Sequence, residues 1–318
     1  MKKKLLSVVF LLLSLLLNGQ IKNRYVVDKN GQGDFRTVQE ALDAIRPSDP
    51  RGTMTIFIRK GIYHEKVVLP SQTNHVRIVG EDRDSTVITY DDQANINKMG
   101  TFRTYTLKLS GNDILLGNLT IENASEPLGP AVALHVDGDR AVFRNCRFLG
   151  HQDTVYAGRD GSRLYFENCD IEGTTDFIFG PATAWFEDCL IYCKRNSYIT
   201  ASNTPADIPY GFIFNNCRIV LADTVTAVYL GRPWRPYSMT VFLHTEMPKG
   251  IRPEGWDNWK DARNEKTVRY AEYKNYGEGS GTVERVKWIR ILSDEEAAGI
   301  SPKHVLGGCD QWNPLLCK

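Results

Sequence analysis

The amino-acid sequence predicts an all-β fold, a single-stranded parallel β-helix. Three observations predict it. A short motif recurs every 20–28 residues, brief strands rich in Val, Ile, Phe and Tyr fill most of the chain, and long apolar helical patterns are rare. A period of that length is one coil of a solenoid, in which each repeat buries its apolar face against the next.

The elements follow in order. Lys2, Lys3 and Lys4 precede an apolar run from Leu5 to Leu17, broken only by Ser7 and Ser14 and bounded by Asn18-Gly19-Gln20. At about 13 residues the run is too short to span a bilayer comfortably. Residues 1–20 therefore read as a secretory signal peptide, cut near Gln20 or Ile21. No Cys follows the run to carry a lipid anchor. No later stretch is apolar for long enough to form a second span. The leader holds three of the 39 basic residues and none of the 38 acidic ones, so the mature chain carries 36 against 38, a net charge near −2. Binding to nucleic acid would call for a strong basic excess, which is missing. About 298 residues remain without a linker or a break in composition, so residues 21–318 are expected to form one exported domain, a monomer, periplasmic or secreted.

One helix is well signalled. Thr37-Val38-Gln39-Glu40 has the form of a capping box, and Val38, Ala41, Leu42 and Ile45 share one face. Coming before the first strands, this helix is expected to cap the open N-terminal end of the solenoid. Strands such as Thr55–Ile58 and Val76–Val79 follow. The repeat then emerges as Phe143-Arg144-Asn145-Cys146-Arg147-Phe148, with copies around Cys169, Cys189 and Cys217 and a weaker copy with Leu119 in the Cys slot. Alternation of Phe, Cys and Phe or Ile reads as one strand per motif, with the Cys slots stacked inside as reduced thiols. CxxC pairs are missing and the slots lie on successive coils, so no metal is expected. In the C-terminal tail, a Cys309–Cys317 bridge and two free thiols are both open readings.

The same register brings two carboxylates together. Gly150 and Asp153 stand four and seven residues after Cys146; Gly173 and Asp176 stand four and seven after Cys169. Equivalent positions on adjacent coils lie about 4.8 Å apart, so Asp153 and Asp176 should be neighbours on one outer face. Two close carboxylates push their pKa values apart, leaving one ionised as a nucleophile and the other protonated as an acid. Taken singly, either Asp could be a turn residue bonded to its own backbone. As a pair flanked by Gln152, Tyr156, Phe177 and Phe179, they read as a site. No G-x-S-x-G elbow or dinucleotide loop competes, and His151 beside the pair reads as a surface histidine.

These residues resemble a known family, the pectin methylesterases. Its signature is similar to Ile171-Glu172-Gly173-Thr174-Thr175-Asp176-Phe177-Ile178-Phe179-Gly180. Further likeness lies in Gly150-His151-Gln152-Asp153, Gly231-Arg232-Pro233-Trp234, Gly61-Ile62-Tyr63-His64-Glu65 and Pro253-Glu254-Gly255-Trp256. The resemblance implies a right-handed, pectin-lyase-like β-helix with an open cleft, acting on methyl-esterified polygalacturonate without a cofactor. It assigns Asp176 as nucleophile, Asp153 as acid and then base, Arg232 as the guanidinium holding the nucleophile, and Gln152 as an oxyanion donor. Trp234 and Tyr156 are implied as substrate-contacting aromatics and Thr101 as a binding threonine. A bidentate arginine would lower the Asp176 pKa and leave Asp153 protonated. One position departs from the family. Pro130 stands where a second oxyanion glutamine is usual, and proline offers neither a side-chain amide nor a backbone N–H.

Two other classes of function share these features. A glycoside hydrolase also needs a carboxylate pair, and Pro130 would suit a non-catalytic pectin-binding β-helix. A calcium-dependent lyase is disfavoured, because no acidic cluster converges on the pair.

Overall fold

The computed structural model describes residues 23–317 apart from 48 and 50; the expected signal peptide, residues 1–20, lies outside them. Strand pairing is parallel in all three sheets formed by the described residues, one of eleven strands and two of seven. Each central coil contributes one strand to each sheet, and the end coils add strands to the large sheet alone. Phe143 pairs with Phe166, Phe166 with Phe186, Phe186 with Phe214 and Phe214 with Phe242, so the repeats are in step. The Phe rings form an interior column at 4.4–4.6 Å between centroids. Cys146, Cys169, Cys189 and Cys217 form a second buried column, each thiol donating to a backbone carbonyl.

The motif is not one strand. It turns a corner. Phe143 lies in the strand Ala141–Arg144, and Cys146 precedes Arg147–Leu149 in a different sheet. Asn145 between them has φ 50°, as do its equivalents Asn168 (52°), Asp188 (51°) and Asn216 (51°). Asn and Asp tolerate this left-handed conformation better than other side chains, which explains their fixed place in the motif. The bend lets Phe and Cys both point inward although their sequence spacing is odd. The asparagines also bond to one another, Asn145 to Asn118 at 2.7 Å and Asn168 to Asn145 at 3.1 Å.

The N-terminal helix spans Val38–Asp43 and carries the capping box at Thr37 and Glu40. It follows, rather than precedes, a first strand at Arg24–Val27. At the other end, two short helices, Asp294–Ala298 and Pro302–Leu306, lie near the outer face of the large sheet. There Val305 and Leu306 pack on Val142, Tyr165 and Trp185. Cys309 and Cys317 are unbridged. No helix of the described residues is long and apolar enough to cross a membrane. Among those residues, no group of His, Cys, Asp or Glu converges to hold a metal ion.

Candidate active site

Asp153 and Asp176 occupy matching turns on adjacent coils. Phe148 pairs with Ile171 before the turn and Val155 with Ile178 after it, so the 23-residue offset carries Asp153 onto Asp176. The Asp153 N–H donates to the Thr175 carbonyl at 3.1 Å, and the Asp176 N–H to the Tyr198 carbonyl at 2.8 Å. Both are left-handed, φ 66° and 50°, a conformation that costs about 1 kcal/mol for a residue with a Cβ. The preceding glycines make room for this turn. A Cβ at Gly150 would meet the Thr154 side chain at 2.8 Å, and one at Gly173 would meet the Phe177 Cβ at 2.2 Å.

Both carboxylates are buried, Asp153 to 8% and Asp176 to 5% exposure, and neither is used on a backbone turn bond. Arg232, just beyond the strand Tyr229–Gly231, donates Nε to one Asp176 oxygen at 2.9 Å and Nη2 to the other at 2.6 Å. The Gln152 side chain lies beside Asp153 and favours its ionised form. Burial pushes the Asp153 carboxyl well above the usual carboxylate range, the charge of Asp176 adds to the push, and Arg232 and Gln152 oppose it. Asp176 is also raised by burial, with Arg232 pulling the other way. Arg232 thus lowers Asp176 as expected, but desolvation outweighs the fork and the net shift is upward. The ordering survives. Asp153 holds its proton more firmly than its partner, and that division suits a nucleophile beside an acid.

An aromatic wall runs beside the pair. Tyr156 lies 4.9 Å from both Phe179 and Phe102, and Trp234 lies 5.9 Å from Phe179. Thr101 begins the turn Thr101–Arg103 that carries Phe102. Pro130 forms a parallel bridge with Gln152, one coil away. Phe177 is a correction. It is fully buried in the solenoid core, where both Phe177 and Ile178 pack, while Phe179 turns toward Tyr156 and Trp234. Phe179 is nearly buried as well and backs the wall from beneath.

The profile of the family described as Pectinesterase matches residues 24–309. This chain belongs to that family. Among curated pectinesterases, it is 38% identical to Pectinesterase 31 of Arabidopsis thaliana over 302 residues, 92% of this chain and 94% of the relative. Pectinesterase 4 of the same plant is 36% identical, and there the match spans about half of the relative's length, 51%. The solved pectin methylesterase from carrot superposes with a TM-score of 0.85 at 32% identity, covering 90% of this chain and 93% of that one. A pectin methylesterase solved in complex with a hexasaccharide gives 0.77 at 30% identity, covering 91% and 97%.

Within this pectinesterase, several cleft residues escaped the sequence. Phe102 follows the weakly distinctive Gly100-Thr101, and it stands 44% exposed with its ring against Tyr156. His135 lies between Lys108 and Tyr156 in the strand register, with Nε2 3.0 Å from Asp137. Tyr198 and Trp259 flank Arg232, at 3.9 and 3.7 Å from its guanidinium carbon. Their strand and loop come from other coils, and no spacing in the sequence links them. His151 is half-buried, and burial together with Lys194 and Arg195 lowers its pKa, so it stays neutral.

Proposed function

We propose that this protein is an exported pectin methylesterase, a single domain over residues 21–318 that hydrolyses methyl esters on polygalacturonate. One observation supports the roles above all. The forked Arg232–Asp176 pair stands in register with Asp153, whose carboxyl is raised furthest. Asp176 attacks the ester carbonyl, and the Gln152 amide donates to the tetrahedral oxyanion. As the intermediate collapses, the C–O bond to methoxide breaks and Asp153 gives up its proton, releasing methanol. An anhydride then joins the galacturonate carbonyl to Asp176. Asp153, now ionised, takes a proton from water, which attacks that carbonyl and frees Asp176 as a carboxylate. The aromatic wall of Tyr156, Phe102 and Trp234 suits the faces of sugar rings, and Thr101 lies at its edge. The solenoid is right-handed, helix Val38–Asp43 covers its N-terminal end, and the protein acts as a monomer without a cofactor.

The test is methanol release from methylated pectin by wild type and by Asp176→Ala and Asp153→Ala. Wild type should release methanol without new reducing ends, and Asp176→Ala should lose on the order of 10⁴-fold in turnover. New reducing ends would favour glycoside hydrolysis. Equal slow release by wild type and Asp176→Ala would favour a binding module.

A further inference from the structure

The Arg232 guanidinium is held by aromatic faces as well as by the nucleophile. Trp259 lies 3.7 Å from its carbon and Tyr198 3.9 Å. Tyr229 continues the stack against Tyr198, with centroids 5.2 Å apart and planes 10° from parallel, and Arg252 closes it 4.8 Å from the Tyr229 ring. The stack therefore runs Trp259, Arg232, Tyr198, Tyr229, Arg252. Register builds half of it, since Tyr198 and Tyr229 are paired on adjacent coils. The other half comes from a strained loop. Trp259 has φ 59° and Lys260 φ 58°, an unusual conformation for so bulky a side chain as Trp. The Trp259 N–H bonds to Asp257 Oδ1 at 2.7 Å, and the Asn258 side chain bonds to Glu265 at 2.7 Å, which pins the loop in that shape.

We propose that Tyr198 and Trp259 are positioning residues for the nucleophile, fixing the plane of the Arg232 fork so that both its donors meet Asp176, with Tyr229 and Arg252 holding Tyr198 in turn. This rests on the reading of Asp176 as nucleophile. The physical reason is that a hydrogen-bonded clamp would consume N–H donors, whereas a ring face restrains the guanidinium plane and leaves the in-plane donors free. Nε and Nη2 go to Asp176, and Nη1 has no hydrogen-bond partner among the described residues. The charged or titratable groups acting on this centre are Asp153, Asp176, Arg232 and Asp257, together with the Tyr198 phenol, which burial raises and so keeps neutral.

The experiment uses Tyr198→Leu and Trp259→Leu, which keep apolar cover over Asp176 but remove the flat face, alongside Tyr198→Phe, which keeps the face. Methanol release from methylated pectin is measured across pH. Each Leu variant should lose about 10- to 100-fold in kcat with KM within about twofold. The acid limb of kcat/KM should move to higher pH, because a loosened fork stabilises the Asp176 carboxylate less. Tyr198→Phe should restore most of the lost kcat and return the limb. Wild-type kcat and an unmoved limb in both Leu variants would overturn the proposal, as would folded Leu and Phe variants that are equally slow. Asp176→Ala, run beside them, separates the two ideas: if it turns over like wild type, the nucleophile assignment fails whatever the Leu variants do.

Discussion

Arg232 with Asp176 and Arg285 with Glu272 are the same chemical pair in two settings. Arg285 and Glu272 are each only 2% exposed at the side chain and are saturated with partners. Arg285 Nε and Nη2 reach Glu272 at 2.8 and 3.3 Å, Nη2 also meets the Gly279 carbonyl, and Nη1 bonds the Arg252 and Pro253 carbonyls. Trp256 Nε1 takes up a further bond to Glu272 at 3.0 Å. Arg232, by contrast, is 20% exposed at the side chain, gives both its bonds to one carboxylate and is braced by rings. The first pair ties the C-terminal loops to the last full coil. The second is an arrangement with donor capacity left over, placed where substrate can reach it. Unused hydrogen-bonding capacity, more than burial or pair geometry, separates the proposed functional pair from the structural one.

The comparison can be broken most directly at Arg285. Arg285→Met leaves the Glu272 carboxylate buried without its cation, and unfolding by denaturant should show a loss of about 3–5 kcal/mol. The folded enzyme should keep its kcat. Adding Glu272→Gln, which retains an acceptor for Trp256, should recover part of the stability, since an intact buried pair contributes far less than a broken one costs. At the other pair the pattern should invert. Arg232→Lys keeps the charge but cannot reproduce the fork, so turnover should fall about 10²–10³-fold with the melting temperature unchanged. Near-wild-type turnover would remove the distinction.

Two smaller effects sharpen it. Pro130→Gln places an amide beside Gln152 and should raise kcat about tenfold if an oxyanion donor limits the rate; an unchanged kcat would mean the site does not need one. Asp153→Asn should abolish hydrolysis yet raise the melting temperature slightly at neutral pH. The sign follows from linkage. A carboxyl whose folded pKa lies above its unfolded value stabilises the fold at low pH, and that contribution is lost as pH rises through the folded pKa. At pH 7 Asp153 therefore opposes folding, and the neutral amide relieves it. On the proposed roles, kcat/KM measured against pH should trace a bell. The acid limb should fall as Asp176 takes a proton and the alkaline limb as Asp153 loses one.

Much of this protein could be read before any coordinates. The spacing of Cys146, Cys169, Cys189 and Cys217 disclosed the coils, and matching offsets to Asp153 and Asp176 disclosed the pair, because a solenoid turns sequence period into spatial contact. Pro130 was legible through the family resemblance, as a departure from the usual glutamine. Three things were not. The corner at Asn145 was taken for straight strand, since alternation is the same pattern until one residue turns left-handed. Phe177 was grouped with the site only as the sequence neighbour of Asp176, and adjacency in the chain does not tell which way a side chain points; it packs in the core. Tyr198 and Trp259 could not be found at all. They meet Arg232 through a stack that joins separate coils and a loop, and π contacts across such distances leave no periodic trace in the chain. Local repetition encodes which backbone positions coincide; which side chains face one another, and with what charge and solvent, is settled only when the coils close.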